Sequence, residues 1–398
     1  MDGTLGKEAM NELKLRYGCN PHQVPARVYR EGGDLPLEIL SGAPGYINLC
    51  DALNAWQLVA ELRASLGLPA AASFKHVSPA GAALGLPMPE SLQRACFVDG
   101  MELSPLACAY ARARGADRMS SFGDWAALSD VCDEATALIL KREVSDGVIA
   151  PGYEPRALEI LRAKRDGKFH VVRMDPGYRP PETERREIFG ITFEQRRNDL
   201  VPAPEHLGRV VTARTELPEA ARRDLVLAMA TLKYTQSNSV VLAYEGQVIG
   251  VGAGQQSRVH CTRLAAGKAD KWFLRQHPEV LALPFRPGVN RADRNNGIDQ
   301  FLEEGLSRAE EELMEQLFER SPRRLDAEER RAYLGAQRGV SLGSDAFFPF
   351  RDNIDRAHAS GVSYVVQPGG SVRDDAVIQA CDAYGMVMCF TGVRLFHH

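Results

Sequence analysis

The chain has 398 residues, with 48 lysines and arginines against 52 aspartates and glutamates and a formal charge of −4. Its 44% apolar and 25% charged content is globular composition and excludes a mainly disordered chain. The charge balance excludes nucleic-acid binding through a broad basic surface, and no apolar run reaches the ~18–20 residues of a membrane helix.

The start, MDGTLGKEAMNELKL, lacks the basic-then-apolar layout of a secretory leader. Residues 54–66 have helical spacing, and the run AAASFKHV then delivers Lys75 and His76 to a Pro-Gly turn. Helical spacing returns over 105–113 and 125–141. A brief apolar run at 148–150 stops at Pro151-Gly152, an amphipathic helix follows over 155–164, and 169–173 is of β type. The proline- and charge-rich stretch 174–187 marks an internal boundary. Beyond it, 218–232 reads as a helix, and 239–244 with 247–251 as a hairpin turned at Glu245-Gly246. Residues 289–337 are Arg/Glu-rich and helical in period, an appended segment.

The layout strand, Pro-Gly, helix, Gly, strand occurs twice, at SDGVIAPGYEPRALEILRAKRDGKFHVV and at GVSYVVQPGGSVRDDAVIQACDAYGMVMCF. Because βαβ units share it widely, the pattern alone leaves a duplication open. The eight cysteines are scattered and none forms a C-x-x-C pair, which reads as reduced, mostly buried thiols in a cytoplasmic protein.

Three chemistries compete. Gly250-Val251-Gly252-Ala253-Gly254 is G-x-G-x-G after a hairpin, closer to a tightly packed turn than to a dinucleotide fingerprint. The helix start that follows, with Arg258, has donors for a phosphate. Zinc is disfavoured, since none of the nine histidines or eight cysteines has ligand spacing. The pair Lys75-His76 offers acid/base chemistry, an imidazole to take a proton and an ammonium to meet a developing oxyanion. A strand-end Lys-His of no catalytic role remains the alternative. Arg16, Arg258 and Arg394 would suit a phosphate if they converge.

The motifs RYGCNPHQ, SFKHVSPAGAA, SDGVIAPGYE, LKYTQSNSV, GQVIGVGAGQQSRVHCTRLA, SDAFFPFRDN and RLFHH, in this order, resemble the transformylase part of the bifunctional purine-biosynthesis proteins. That part is the phosphoribosylaminoimidazolecarboxamide (AICAR) formyltransferase. The resemblance implies an α/β fold of two cytidine-deaminase-like α/β/α halves related by a pseudo-twofold. They would occupy residues 1–185 and 186–398, with the helical insertion near 289–337 in the second. It implies formyl transfer from 10-formyltetrahydrofolate to the 5-amino group of AICAR, giving FAICAR and tetrahydrofolate. By this matching, His76 is the proton acceptor, Lys75 stabilises the transition state, and Asn238 orients the reacting amine or formyl group. Arg16, Tyr17, Gly123, Asp146, Arg258, Phe347 and Arg394 match positions that hold the nucleotide. Met119, Val259, Asp352, Asn353, Ser371 and Val372 match positions near the folate. The family implies a homodimer with active sites at its interface and no zinc. A structural potassium at Thr235, Ser237, Ser239 and Asp345 is a further expectation. Only a short lead precedes RYG, so the IMP cyclohydrolase domain and its activity are expected to be absent.

Overall fold

The computed structural model describes residues 11–398, so most of the stretch read for a leader lies outside the described residues. In chain order, β1 (Glu12–Leu15) and β2 (Ala26–Tyr29) form a small ribbon, followed by β3 (Leu37–Ser41) and α1 (Tyr46–Leu66). The hairpin β4 (Ala70–Lys75) and β5 (Ser78–Leu84) leads to α2 (Glu90–Ala95), α3 (Pro105–Gly115) and β6 (Asp124–Leu128). Then come α4 (Glu134–Arg142), β7 (Ser145–Ala150), α5 (Pro155–Arg162) and β8 (His170–Met174). A second ribbon, β9 (Thr183–Ile188) and β10 (Ile191–Arg196), precedes α6 (Glu219–Lys233) and the hairpin β11 (Val240–Tyr244) and β12 (Gln247–Gly252). Five helices follow, α7 (Arg258–Leu274), α8 (Pro278–Leu281), α9 (Arg291–Leu302), α10 (Arg308–Glu315) and α11 (Ala327–Gly335). The chain closes with β13 (Val340–Ser344), α12 (Asp352–His358), β14 (Val362–Gln367), α13 (Asp374–Ala383) and β15 (Val387–Phe390).

Eleven strands make one sheet in the order β15-β14-β13-β11-β12-β5-β4-β6-β7-β8-β3. Outward from its centre at β5 and β12, each side repeats one pattern. An antiparallel hairpin partner (β4 or β11) is followed by an antiparallel strand (β6 or β13), then by two parallel strands (β7, β8 or β14, β15). Helices α1 and α6 cover one face, and α3, α4, α5, α7, α12 and α13 the other, so the central strands are buried on both faces. Residues 291–335 form α9 to α11 over a satellite core of Ile298, Phe301, Met314 and Phe318, as the charged helical period predicts.

Two expectations need correction. The helical reading of 125–141 fails at its start. Trp125 to Leu128 lie in β6, all five of whose residues are buried, and the helix begins only at Glu134. A strand buried on both faces shows no alternation, so a short apolar run ahead of a helix merges with it in the sequence. Nor do Pro79 to Gly81 make the turn after Lys75. They lie within β5, where a Cβ on Gly81 would come 2.2 Å from the Ala113 carbonyl oxygen of α3.

The G-x-G-x-G run serves packing. A Cβ on Gly250 would lie 2.1 Å from Ala265 O, and one on Gly252 2.1 Å from Cys261 O, both backbone atoms of α7. Gly252→Ala must therefore displace α7, and is expected to lower stability by about 1–3 kcal/mol, read as a shift in denaturant midpoint.

Candidate active site

Strand polarity gathers the predicted residues at one end of the sheet. β4 ends there at Lys75, and β6 and β7, antiparallel to it, begin there at Asp124 and Ser145. Following the antiparallel pairings through β5 and β12, β11 begins at that end and β12, β13, β14 and β15 finish there.

One group of residues comes from β4, β6 and β7. Lys75 pairs across the hairpin with Ser78, which leaves His76 and Val77 as a two-residue turn, with φ of 53° and 60°. The Lys75 ammonium donates to the Phe122 carbonyl oxygen, and a Cβ on Gly123, whose φ is +74°, would stand 3.8 Å from Lys75 Nζ. A bare glycine thus leaves space beside the ammonium. Asp51 of α1 accepts the Val77 N–H at 2.6 Å. Burial pushes its carboxyl up to about 6, against the downward pull of that N–H and of His76. The Asp146 side chain, half exposed, lies 3.3 Å from Arg165 Nη1. Burial pushes the Cys50 thiol of α1 up, and Cys19 and Asp51 raise it further. The Arg16 guanidinium stands 5.9 Å from the Tyr17 ring.

The loop from 117 to 123 behind Lys75 is fixed by a buried charge network. Arg114 meets Asp124 at 2.5 Å and Glu143 at 3.1 Å, and Arg118 meets Glu143 at 3.0 Å. Ser73 donates to Asp124 at 2.6 Å and shares a hydrogen bond with Ser121. Met119 and Phe122 are exposed at the mouth of a cavity of about 250 Å³, with Arg142 and Arg291 on its wall.

The other group gathers around Asp345, which is fully buried. Its carboxylate pairs with Arg258 and accepts from Ser237 Oγ at 2.7 Å and from the Ser239 N–H at 3.0 Å. Arg258 Nη2 in turn donates to Asn238 Oδ1 at 2.8 Å, and its Nη1 to Ser344 Oγ. The chain end laces onto this loop, since Leu395 N–H donates to Asp345 O and Ser237 N–H to His397 O. Arg258, expected at a phosphate or carboxamide, therefore has both terminal nitrogens committed to protein partners and orients the Asn238 amide. Arg394 is exposed and stacks on Phe396, and Phe347 is exposed while Phe348 is buried.

Of the residues matched to the folate, Val259 is half-buried at the start of α7, and Asp352 and Val372 face solvent. Ser371 Oγ accepts the Arg373 N–H. Asn353 is buried, and its amide is spent on Thr262 and Phe350, which ties α12 to α7.

The two groups lie apart on the sheet. β7, which carries Asp146, and β13, whose end carries Asp345 and the chain end laced to it, are six inter-strand spacings apart, about 29 Å at ~4.8 Å per strand, more than one nucleotide spans.

Among known families, the model of the AICARFT/IMPCHase bienzyme matches residues 2–268. The chain belongs to this family. The bifunctional purine biosynthesis protein PurH of Sorangium cellulosum is 33% identical over 393 residues, covering 96% of this chain and 58% of its own length. Those of Ruegeria pomeroyi and Xanthomonas campestris are 31% and 34% identical over 97% of this chain, which covers 60% and 58% of theirs. This member of the AICARFT/IMPCHase bienzyme family thus spans about three fifths of the length of the curated relatives it matches. Among its described residues no cluster of three or more His, Cys, Asp or Glu side chains is poised to hold a metal. Asp51, Phe122 and Asp124 carry no functional signal in the sequence. Their contacts with Val77, Lys75 and Ser73 span 26 to 51 residues, which no local pattern signals.

Proposed function

We propose that the chain transfers a formyl group from 10-formyltetrahydrofolate to the 5-amino group of AICAR, in the cytoplasm, at a site assembled from two copies. Each copy would consist of two cytidine-deaminase-like halves, residues 1–185 and 186–398. The repeated strand order on either side of β5 and β12 supports that division.

The carrying observation is the anchored Lys75-His76 turn in a member of this family. The amine of AICAR is a poor nucleophile, because the imidazole and carboxamide draw on its lone pair. Attack on the formyl carbon therefore has to be coupled to loss of a proton, which the exposed His76 imidazole is placed to accept. The attack forms a tetrahedral oxyanion. Lys75, held by the Phe122 carbonyl beside the space at Gly123, supplies the positive charge to meet it and a proton for the departing folate nitrogen. Asn238, aimed by Arg258, orients the amine or the formyl oxygen. Asp146 is proposed to take ribose hydroxyls, with Arg16, Tyr17, Phe347 and Arg394 on the rest of the nucleotide. Met119, Val259, Asp352, Ser371 and Val372 are proposed to flank the folate.

Two features support a second copy. The nucleotide residues divide between distant strands, and exposed apolar side chains (Met119, Phe122, Phe347, Phe350, Val372 and Phe396) cluster in loops at this same end. In a dimer, the Lys75 end of one copy and the Arg394 end of the other would close a single site.

Potassium belongs to the same proposal. Thr235, Ser237, Ser239 and Asp345 offer only oxygen donors, which suits a hard cation, and Ser239 Oγ is buried without a hydrogen-bond partner. Bound there, the ion would supply fixed positive charge beside the loop that presents Asn238.

Purified protein given AICAR and 10-formyltetrahydrofolate is expected to release tetrahydrofolate. No release above background, with formate plus ATP as the comparison donor, would overturn the reading.

A further inference from the structure

The His76-Val77 turn is held in a conformation its residues disfavour. Two consecutive positive φ angles are those of a type I′ hairpin turn, which normally takes Asn-Gly or Gly-Gly. A β-branched residue at φ 60° is an outlier, since its Cβ crowds the backbone there. Left to itself, a turn of this sequence would sample other shapes, and the imidazole would move with them. Strain of this kind persists only where surrounding structure fixes it.

The fixing contact is a single carboxylate from another element. Asp51 sits in the second turn of α1 and is 6% exposed. Its Oδ1 accepts the Val77 N–H at 2.6 Å, a charge-assisted bond across 26 residues of chain. A buried carboxylate is costly unless it is paired or hydrogen-bonded, and the Val77 N–H is the partner it has here. α1 is itself anchored by seven buried residues besides Asp51, among them Leu49, Ala52 and Trp56, so the acceptor is rigid.

We infer that Asp51 is the positioning residue of the reaction, clamping the strained His76-Val77 turn so that the imidazole faces the substrate amine. The inference rests on the proposed formyl transfer. Asp51 touches no substrate; it acts through the backbone of Val77.

Asp51→Ala removes the acceptor and frees the turn, and is expected to lower kcat by about 10- to 100-fold, as a misplacement on the order of 1 Å does. KM for AICAR should stay within about threefold, since the nucleotide contacts are elsewhere. Asp51→Asn keeps an oxygen acceptor at the same place and should recover most of the lost rate. The decisive variant is Asp51→Ala combined with Val77→Gly. Glycine adopts φ 60° without strain, so the turn no longer needs its clamp and kcat should rise again. In protein labelled with ¹⁵N-valine, the Val77 amide proton should lie downfield and exchange slowly in wild type and in Asp51→Asn, and lose both properties in Asp51→Ala. The inference is overturned if Asp51→Ala keeps kcat within twofold. It is equally overturned if Asp51→Asn and the Val77→Gly double variant both stay as slow as Asp51→Ala, because a merely structural aspartate would behave that way. If wild type shows no formyl transfer, the amide signal still tests the clamp, and the failure belongs to the proposed reaction.

Discussion

His76→Ala is expected to slow formyl transfer by about 10²- to 10⁴-fold, the range contributed by one positioned acid or base. The imidazole is the exposed side chain of a turn whose neighbours are otherwise engaged. Lys75 is bound to Phe122, and Val77 is bound through its amide to Asp51. No other described histidine shares this turn, so no substitute base is at hand. Because the proposed nucleotide contacts lie elsewhere, AICAR should still bind, with an affinity by calorimetry within a few-fold of wild type. Turnover near the wild-type rate would remove His76 as the base.

Glu143→Gln should cost about 3–5 kcal/mol of stability, the usual result of breaking a buried ion pair from one side. Glu143 is 7% exposed and bridges Arg114 and Arg118, with Arg291 3.7 Å away. Burial by itself pushes its carboxyl up, but the Arg118 and Arg114 guanidiniums outweigh that and hold it at about 2. Its folded value therefore lies below the ordinary 4.5, so its contribution is complete above pH 4.5 and is lost as pH falls toward 2. Urea titrations across that window should show stability falling more steeply in wild type than in Glu143→Gln. Equal slopes would mean that the network does not depend on this charge. Since Asp124 and the 117–123 loop hang on the same arginines, the variant should also lose activity.

The parts of the fold that could be read from the chain are those whose signal is local. The β11/β12 hairpin carries Glu245-Gly246 at its turn, and both residues have positive φ, as such a turn requires. The β4/β5 hairpin has no such signal, because its turn is made by His76 and Val77, so the nearby Pro79 and Gly81 drew the turn to the wrong place. β6 is five buried residues without alternation, and it merged with the helix after it. The candidate residues were legible as motifs, but their grouping was not. Which strand end faces which way depends on the order of eleven strands, a long-range property. Arg258 is the clearest case. In the sequence it reads as a cation for a phosphate, and nothing local signals that Asp345, 87 residues away, pairs with it.

In the proposed dimer, the Lys75-His76 end of one copy and the Arg394 end of another complete one formyl-transfer site. Complementation between two variants tests this sharing. His76→Ala and Arg394→Ala proteins, each of low activity alone, are co-expressed or refolded together and assayed for tetrahydrofolate release. In a dimer with sites shared between copies, half the assemblies are mixed and each holds one intact site, so activity should return to about a quarter of wild type. A mixture no more active than its parents would contradict the claim, placing His76 and Arg394 in separate sites or in the same chain's site.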